Sequence, residues 1–232
     1  MKTIGMIGGM SWESTASYYQ LMNELVKERL GGLHSARVVL YSVDFAQIEQ
    51  LQDAGAWDEA GETLAGAGKA VEAAGADFLV LCTNTMHKVV GAIEAAVTIP
   101  LLHIADATAS EVRRAGVSTV GLLGTRFTME QDFYRGRLEE QHGLNVLVPG
   151  DRDREEVDRV IYDELCRGII DDVSRDRYRE IIGRLAERGA QGIILGCTEI
   201  SLLVSQADSP VPLFDTTSIH ARGAVDFALR EG

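Results

Sequence analysis

Two stretches of this chain, GADFLVLCTNT from Gly75 to Thr85 and GAQGIILGCTE from Gly189 to Glu199, align without a gap at an offset of 114. A second pair, IGMIGGM from Ile4 and VGLLGTR from Val120, aligns at an offset of 116. Related runs that recur in one order and at nearly one spacing restrict the chain to two similar halves. Each run is short, continuously apolar and closed by glycine or small polar residues, which is the pattern of a strand buried on both faces.

Between these runs the period changes to that of helices. SWESTASYYQLMNELVKERL carries Tyr18, Tyr19, Met22, Leu25 and Val26 at helical spacing, and a helix is also predicted within WDEAGETLAGAGKAVEAAG, from Met86 to Ala96 and up to Arg114. MEQDFYRGRLEEQHG, REEVDRVIYDELCRGI and SRDRYREIIGRLAERG read as amphipathic helices, while ARVVLYSVDF, LNVLV and VPLFDT read as further strands. The class is therefore α/β, with two pseudo-symmetric domains, each a mostly parallel sheet flanked by helices on both faces. Ligands in such sheets bind where strands end and helices begin, so the ends after Gly8, Leu81, Gly124 and Gly196 are expected to converge on a cleft between the halves.

The 232 residues are 46% hydrophobic and 25% charged, which is material for one large or two small cores. A formal net charge of −13 leaves no basic footprint for phosphates, so no nucleic-acid partner is expected and the ligand is expected to be small. The chain has no apolar run of about 18 residues, and its start, MKTIGMIGGMSWE, lacks a long apolar core. The expectation is a cytoplasmic protein with no membrane partner. Cys82, Cys166 and Cys197 form neither a Cys-x-x-Cys pair nor a zinc spacing with histidine, and no Schiff-base lysine motif is visible; free thiols and no metal or other cofactor are expected.

Cys166, within YDELCRGI, reads as a small packing residue on an amphipathic helix. Cys197 reads differently. It ends a strand, follows Gly196, which clears space, and precedes Thr198 and Glu199, where a helix start would favour thiolate. Glu199 opposes that effect unless it faces a ligand ammonium group. His87 and His103 are expected to be hydrogen-bonded packing residues, and the DRDREEVDR run a solvated loop and helix start. Thr85 and Thr125 fit helix caps as well as ligand contacts. Asp44 and Asp215 follow strand-like runs and are open between loop orientation and substrate binding.

Taken together, IGGMSWEST, CTNTMHK, IPLLHIADAT, GLLGTRFTMEQDFYRGRL, IYDELC and GCTEISLLV resemble the aspartate/glutamate racemase family over essentially the whole chain, with most likeness to its broad-specificity amino-acid racemase branch. The resemblance implies a cofactor-independent racemase with one acid/base residue from each domain on opposite faces of the substrate Cα. It also implies that the C-terminal segment returns to the first domain, giving limits of 1–99 with 216–232 and 100–215. The expected assembly is a homodimer. By resemblance, Asn84, Thr85, Thr198 and Glu199 contact the substrate carboxylate or ammonium, as does Thr83, with Met10, Gln52 and Thr125 nearby.

The chain departs from the family at one telling place. Many members carry Cys-Asn-Thr in the first half, where this sequence has Thr83-Asn84-Thr85 and Cys82 displaced by one. The internal repeat sets Thr83 opposite Cys197 and Cys82 opposite Gly196. Neighbouring residues of a strand point to opposite sides, so Cys82 is expected in the core and Thr83 in the cleft, with Cys82 kept as the alternative second acid/base. A hydroxyl is a far weaker base than a thiolate, although it can hand on a proton. A related enzyme of the same fold, such as a hydantoin racemase or an isomerase, and a small-ligand binding protein that has lost catalysis are the other readings. The SVDFAQIEQLQ segment is expected as a loop whose Gln47 and Gln52 set side-chain preference; it lacks the arginine an acidic substrate would favour.

Overall fold

In the computed structural model, which describes residues 1–230, the sequence repeat is a repeat of backbone register. Ile4 pairs with Phe78 through Ile7 with Leu81; Val120 pairs with Gly192 through Gly124 with Gly196, the same partners displaced by 116 and 114. The chain forms two compact units, Met1–Ile104 with the segment from His220, and Ala105–Ile219. The crossings lie a few residues beyond the expected limits of 99 and 215.

The first unit runs β1 (Ile4–Gly8), α1 (Trp12–Leu30), β2 (Val38–Ser42), α2 (Phe45–Asp53), α3 (Trp57–Ala73), β3 (Phe78–Leu81), a 3-10 turn (Thr85–Val89), α4 (Val90–Ala96) and β4 (Leu101–Leu102). The second continues with α5 (Ile104–Arg114), β5 (Thr119–Gly124), α6 (Arg126–Glu130), β6 (Asn145–Leu147), α7 (Asp151–Asp163), α8 (Asp172–Glu187), β7 (Gly192–Gly196), α9 (Ile200–Leu203) and β8 (Leu213–Asp215), and α10 (Thr216–Leu229) returns to the first. The sheets are ordered β2-β1-β3-β4 and β6-β5-β7-β8, parallel throughout. Parallel neighbours need long crossovers, and helices supply them.

Each face of the first sheet is sealed by its own helices. Ile7, Leu79 and Leu81 pack against Ile48, Leu64, Ala67, Val71 and Ile93 of α2, α3 and α4. Ile4, Met6, Phe78, Val80 and Cys82 pack against Tyr18, Met22 and Val26 of α1 and against Ala221, Ala224, Val225 and Ala228 of α10. Full burial of one such aliphatic side chain contributes about 1.5–3 kcal/mol, so both faces are substantial cores. Gly5 is needed for this packing: a Cβ there would sit 2.4 Å from Val71 Cγ1. The edge strand is the exception to cover on both faces, since Leu40 and Tyr41 of β2 are 46% and 44% exposed.

Four local expectations are corrected. The SVDFAQIEQLQ segment is not a loop: Asp44 accepts a hydrogen bond from Ala46 N–H at 3.2 Å and starts α2. The helix expected through MEQDFYRGRLEEQHG breaks after Glu130, where Gln131 turns extended, and resumes as a π-type turn at Arg137–Gln141; the break accompanies entry of Tyr134 into the core. Cys166 lies beyond α7, which ends at Asp163, in a 3-10 turn closed by left-handed Gly168, and it is half-buried rather than core. The helix expected after Cys197 is only the four-residue α9, too short to align many peptide dipoles.

Candidate functional site

In the first unit, β1 ends in a loop tied by side chains. Thr15 Oγ1 accepts from Gly9 N–H at 2.8 Å and donates to Ser11 O at 2.8 Å, and Ser11 caps α1 by accepting from Ser14 N–H at 3.3 Å. Met10, buried in this loop, belongs to the same core cluster as Ile48 of α2 and Met86. Gln52 near the end of α2 is also buried, and its Nε2 donates to Met86 Sδ at 2.9 Å. Met10, Gln52 and the segment after β3 are thus gathered on the α2 side of the sheet.

Strand β3 closes with Thr83 N–H donating to Leu81 O at 2.9 Å, a tight turn that redirects the chain. Cys82 continues the side alternation of Phe78 and Val80 and is wholly buried in the core sealed by α1 and α10. Its Sγ lies 3.9 Å from Val80 O, and burial pushes its thiol well above the usual range. Thr83, Asn84 and Thr85 follow at the strand end with 7%, 3% and 6% exposure. His87 Nδ1 meets Thr83 O at 2.8 Å, and His87 Nε2 accepts from Ile104 N–H at 3.3 Å. His103 is buried beside it, with ring centroids 4.4 Å apart.

In the second unit, Thr125 and Cys197 follow the paired ends Gly124 and Gly196 of adjacent strands. Thr125 caps α6: its Oγ1 lies 3.4 Å from Thr128 N and 3.2 Å from Thr128 Oγ1. Gly196 serves the sheet rather than the thiol, because a Cβ there would lie 2.9 Å from Leu123 O and 2.9 Å from Leu122 Cδ1. That crowding explains why the second half has glycine where the first has Cys82. Cys197 Sγ donates to Glu199 Oε2 at 3.0 Å, and Thr198 Oγ1 donates to the same oxygen at 2.7 Å. All three residues are buried.

Electrostatics at Cys197 run against a resting thiolate. Burial pushes the thiol well above its ordinary value, the Glu199 carboxylate adds to the rise, and Cys166 contributes in the same direction. The expected helix-dipole help is missing because α9 is a single turn. The buried arrangement therefore holds a thiol hydrogen-bonded to a carboxylate, and a cationic ligand group that drew Glu199 away would release it.

Other singled-out residues take structural places. Asp215 accepts from Thr217 N–H at 3.0 Å and from Ser218 Oγ at 2.6 Å, and so starts α10. Gln47 sits in the first turn of α2, its N–H directed to Asp44 O at 3.2 Å. Sequence reasoning passed over two features. One is the Thr15–Ser11–Gly9 network, signalled by a serine followed by a β-branched hydroxyl four residues later. The other is an open pocket of about 550 Å³ lined by Trp57, Asp58, Glu62, Lys88 and Val89, where the Lys88 ammonium lies 3.6 Å from the Trp57 ring centroid. That pocket includes none of the strand-end residues. Among the described residues no three His, Cys, Asp or Glu side chains form a metal-holding group, and no helix is long and apolar enough to cross a membrane.

Two parallel sheets of one strand order, with buried polar residues at the carboxyl ends of their central strands, define a duplicated α/β class, and open parallel sheets in general bind ligands at such ends. The chain belongs to the Asp/Glu/Hydantoin racemase family, whose pattern matches residues 7–224. The crystal structure of a candidate Asp/Glu racemase from Yersinia pestis is 59% identical, covers 99% of this chain and 100% of its own, and superposes with a TM-score of 0.93. An aspartate racemase homologue from Pyrococcus horikoshii OT3 is 37% identical over 99% of this chain and 100% of its own, with a TM-score of 0.85. The broad specificity amino-acid racemase RacX of Bacillus subtilis is 21% identical over 96% of each chain.

Proposed function

We propose that the protein is an amino-acid racemase that removes and returns the proton at Cα without pyridoxal phosphate or a metal, with Cys197 serving one face of the substrate and Thr83 the other. The observation that carries this reading is the Cys197–Glu199 pair: a strand-end thiol, 3.0 Å from a buried carboxylate, at the position the internal repeat aligns with Thr83. Complete burial of Cys82 in the core favours Thr83 over Cys82 as the second group.

The chemistry follows from the groups. Substrate ammonium pairs with Glu199 and relieves the charge that holds the Cys197 proton, which then passes to water and leaves the thiolate. The thiolate takes the α-proton, the electron pair moves onto the substrate carboxylate, and hydrogen bonds from Thr198, Asn84 and Thr85 stabilise that charge. Delivery of the Thr83 hydroxyl proton to the opposite face inverts the centre, and exchange with water then returns a proton to the Thr83 alkoxide and takes one from the Cys197 thiol; delivery back from Cys197 instead restores the original configuration. The substrate is an amino acid, aspartate or glutamate or a broader set, and the missing arginine in α2 favours the broader set. A cytoplasmic homodimer completes the proposal.

The test is deuterium wash-in at Cα for each enantiomer of an amino-acid panel in heavy water, followed by chiral separation. Cys197→Ala should abolish wash-in, and dialysis against a chelator or treatment with a carbonyl trap should leave it intact. Retained exchange in Cys197→Ala would sink the assignment. The family also spans hydantoin racemases, so a hydantoin panel run beside the amino acids decides the reaction class.

A further inference from the structure

His87 follows Thr83 by four residues, and its ring is held at both nitrogens. A backbone N–H can only donate and a backbone carbonyl can only accept. Ile104 N–H donates to Nε2 at 3.3 Å, so Nε2 carries the lone pair; Nδ1 therefore carries the hydrogen and donates to Thr83 O at 2.8 Å. The ring is neutral, in one tautomer, and 1% exposed. With both nitrogens engaged, it has no lone pair left with which to serve as a base.

The partners are what give the ring consequence. Thr83 is the residue redirected by the tight turn after β3, and its carbonyl has no helix or sheet register of its own. Ile104 is the last residue of the first unit before the chain crosses into the second. His103, next to Ile104, packs at a tilt of 57° against the His87 ring with centroids 4.4 Å apart, and the ring of His220, the first residue after the return crossing, lies at 6.1 Å. His220 is itself fixed by Tyr18 Oη at 2.9 Å and Leu102 O at 2.8 Å.

We propose that His87 is a positioning residue: as the Nδ1–H tautomer it clamps the Thr83 carbonyl to the backbone at Ile104 and so sets the aim of the Thr83 hydroxyl. This rests on the reading of Thr83 as the group that protonates the second face of Cα. Its signature is selective. Loosening Thr83 weakens inversion, which needs the hydroxyl, while exchange with retention, which Cys197 performs alone, persists. A residue that merely stabilised the fold would lower both rates together, because unfolded molecules do neither.

The experiment compares wild type, His87→Gln and His87→Asn by deuterium wash-in and chiral separation of a turned-over amino acid, read as the ratio of inversion to exchange with retention. The ratio is independent of how much enzyme is folded. Glutamine reaches the Nε2 position and leaves the Thr83 carbonyl without its donor; asparagine places an amide N–H near the Nδ1 position. Loss of one aligned hydrogen bond predicts about a tenfold fall of the ratio in His87→Gln. In His87→Asn the ratio should return to within about threefold of wild type. An unchanged ratio in His87→Gln, or an equal fall in both variants, overturns the clamp. Absence of Cys197-dependent exchange in the wild type overturns the racemase reading and the clamp with it, so the two failures are told apart by the wild-type control.

Discussion

Replacing Glu199 by glutamine removes one negative charge 3.0 Å from the Cys197 sulfur while keeping the length of the side chain. Two unit charges about 4 Å apart interact by about 4 kcal/mol at an effective dielectric of 20. Here the charges repel once the thiol ionises, so the carboxylate holds the thiol pKa up and its removal must bring it down. Even a quarter of that energy, about 1 kcal/mol, raises the thiolate fraction roughly fivefold at a pH below the thiol titration. The assay is iodoacetamide alkylation against pH in a Cys166→Ala background, since Cys166 is the half-buried thiol that would otherwise react, with Cys197 followed by peptide mass. Glu199→Gln should alkylate at least about fivefold faster near neutral pH. Racemisation should meanwhile fall, because the substrate ammonium loses its counter-charge. An alkylation profile that coincides with the parent, or moves to higher pH, refutes the account of Glu199 as the group that keeps the thiol protonated.

His220 gives the protein an acid limb: burial draws it from 6.5 down to about 4. Because the folded value lies below the unfolded one, the unfolded chain takes up the proton first. Stability is complete above about pH 6.5 and declines as pH falls to about 4, by about 3 kcal/mol; urea unfolding at several pH values should show this, and His220→Gln should lack that part of the slope. Cys82→Ser puts a hydroxyl into an apolar core and should cost about 1–3 kcal/mol in denaturant unfolding without changing Cα exchange per folded molecule. Gly5→Ala forces a Cβ to within 2.4 Å of Val71 Cγ1 and 2.9 Å of Phe78 O, which should lose about 2 kcal/mol or more. Gly66→Ala, on the exposed side of α3 with no heavy atom within 4 Å of the new Cβ, should gain about 0.5–1 kcal/mol in the same assay.

The sheets were legible because their central strands are continuous apolar runs; the pairing of Ile4 with Phe78 and Val120 with Gly192 follows the repeat offsets but is visible only in the structure. Alternation along β3 was enough to anticipate that Cys82 and Thr83 differ in surroundings. What failed was local. Asp44 ends one apolar run and caps the next helix, and nothing in composition says which role wins. The break at Gln131 depends on where Tyr134 finds a core, a tertiary fact. Gly196 looked like room for a thiol, yet the backbone at Leu123 is what needs the space. The two bonds to His87 join residues whose meeting depends on β4 lying beside β3, so sequence alone offered only a generic packing histidine.

The first unit is discontinuous: its chain leaves at Ile104 and comes back at His220, and Lys2 N–H reaches Ala228 O at 2.9 Å. On the ribosome this reverses the order of completion. Residues 105–219 hold a whole unit and can close as soon as they emerge, whereas the first sheet, made earlier, must wait. Until α10 is synthesised, the face formed by Ile4, Met6, Phe78, Val80 and Cys82 lacks Ala221, Ala224, Val225 and Ala228. The half that is translated first is thus the half that finishes last, and a chain truncated before about residue 220 would leave that face of the first sheet open and aggregation-prone.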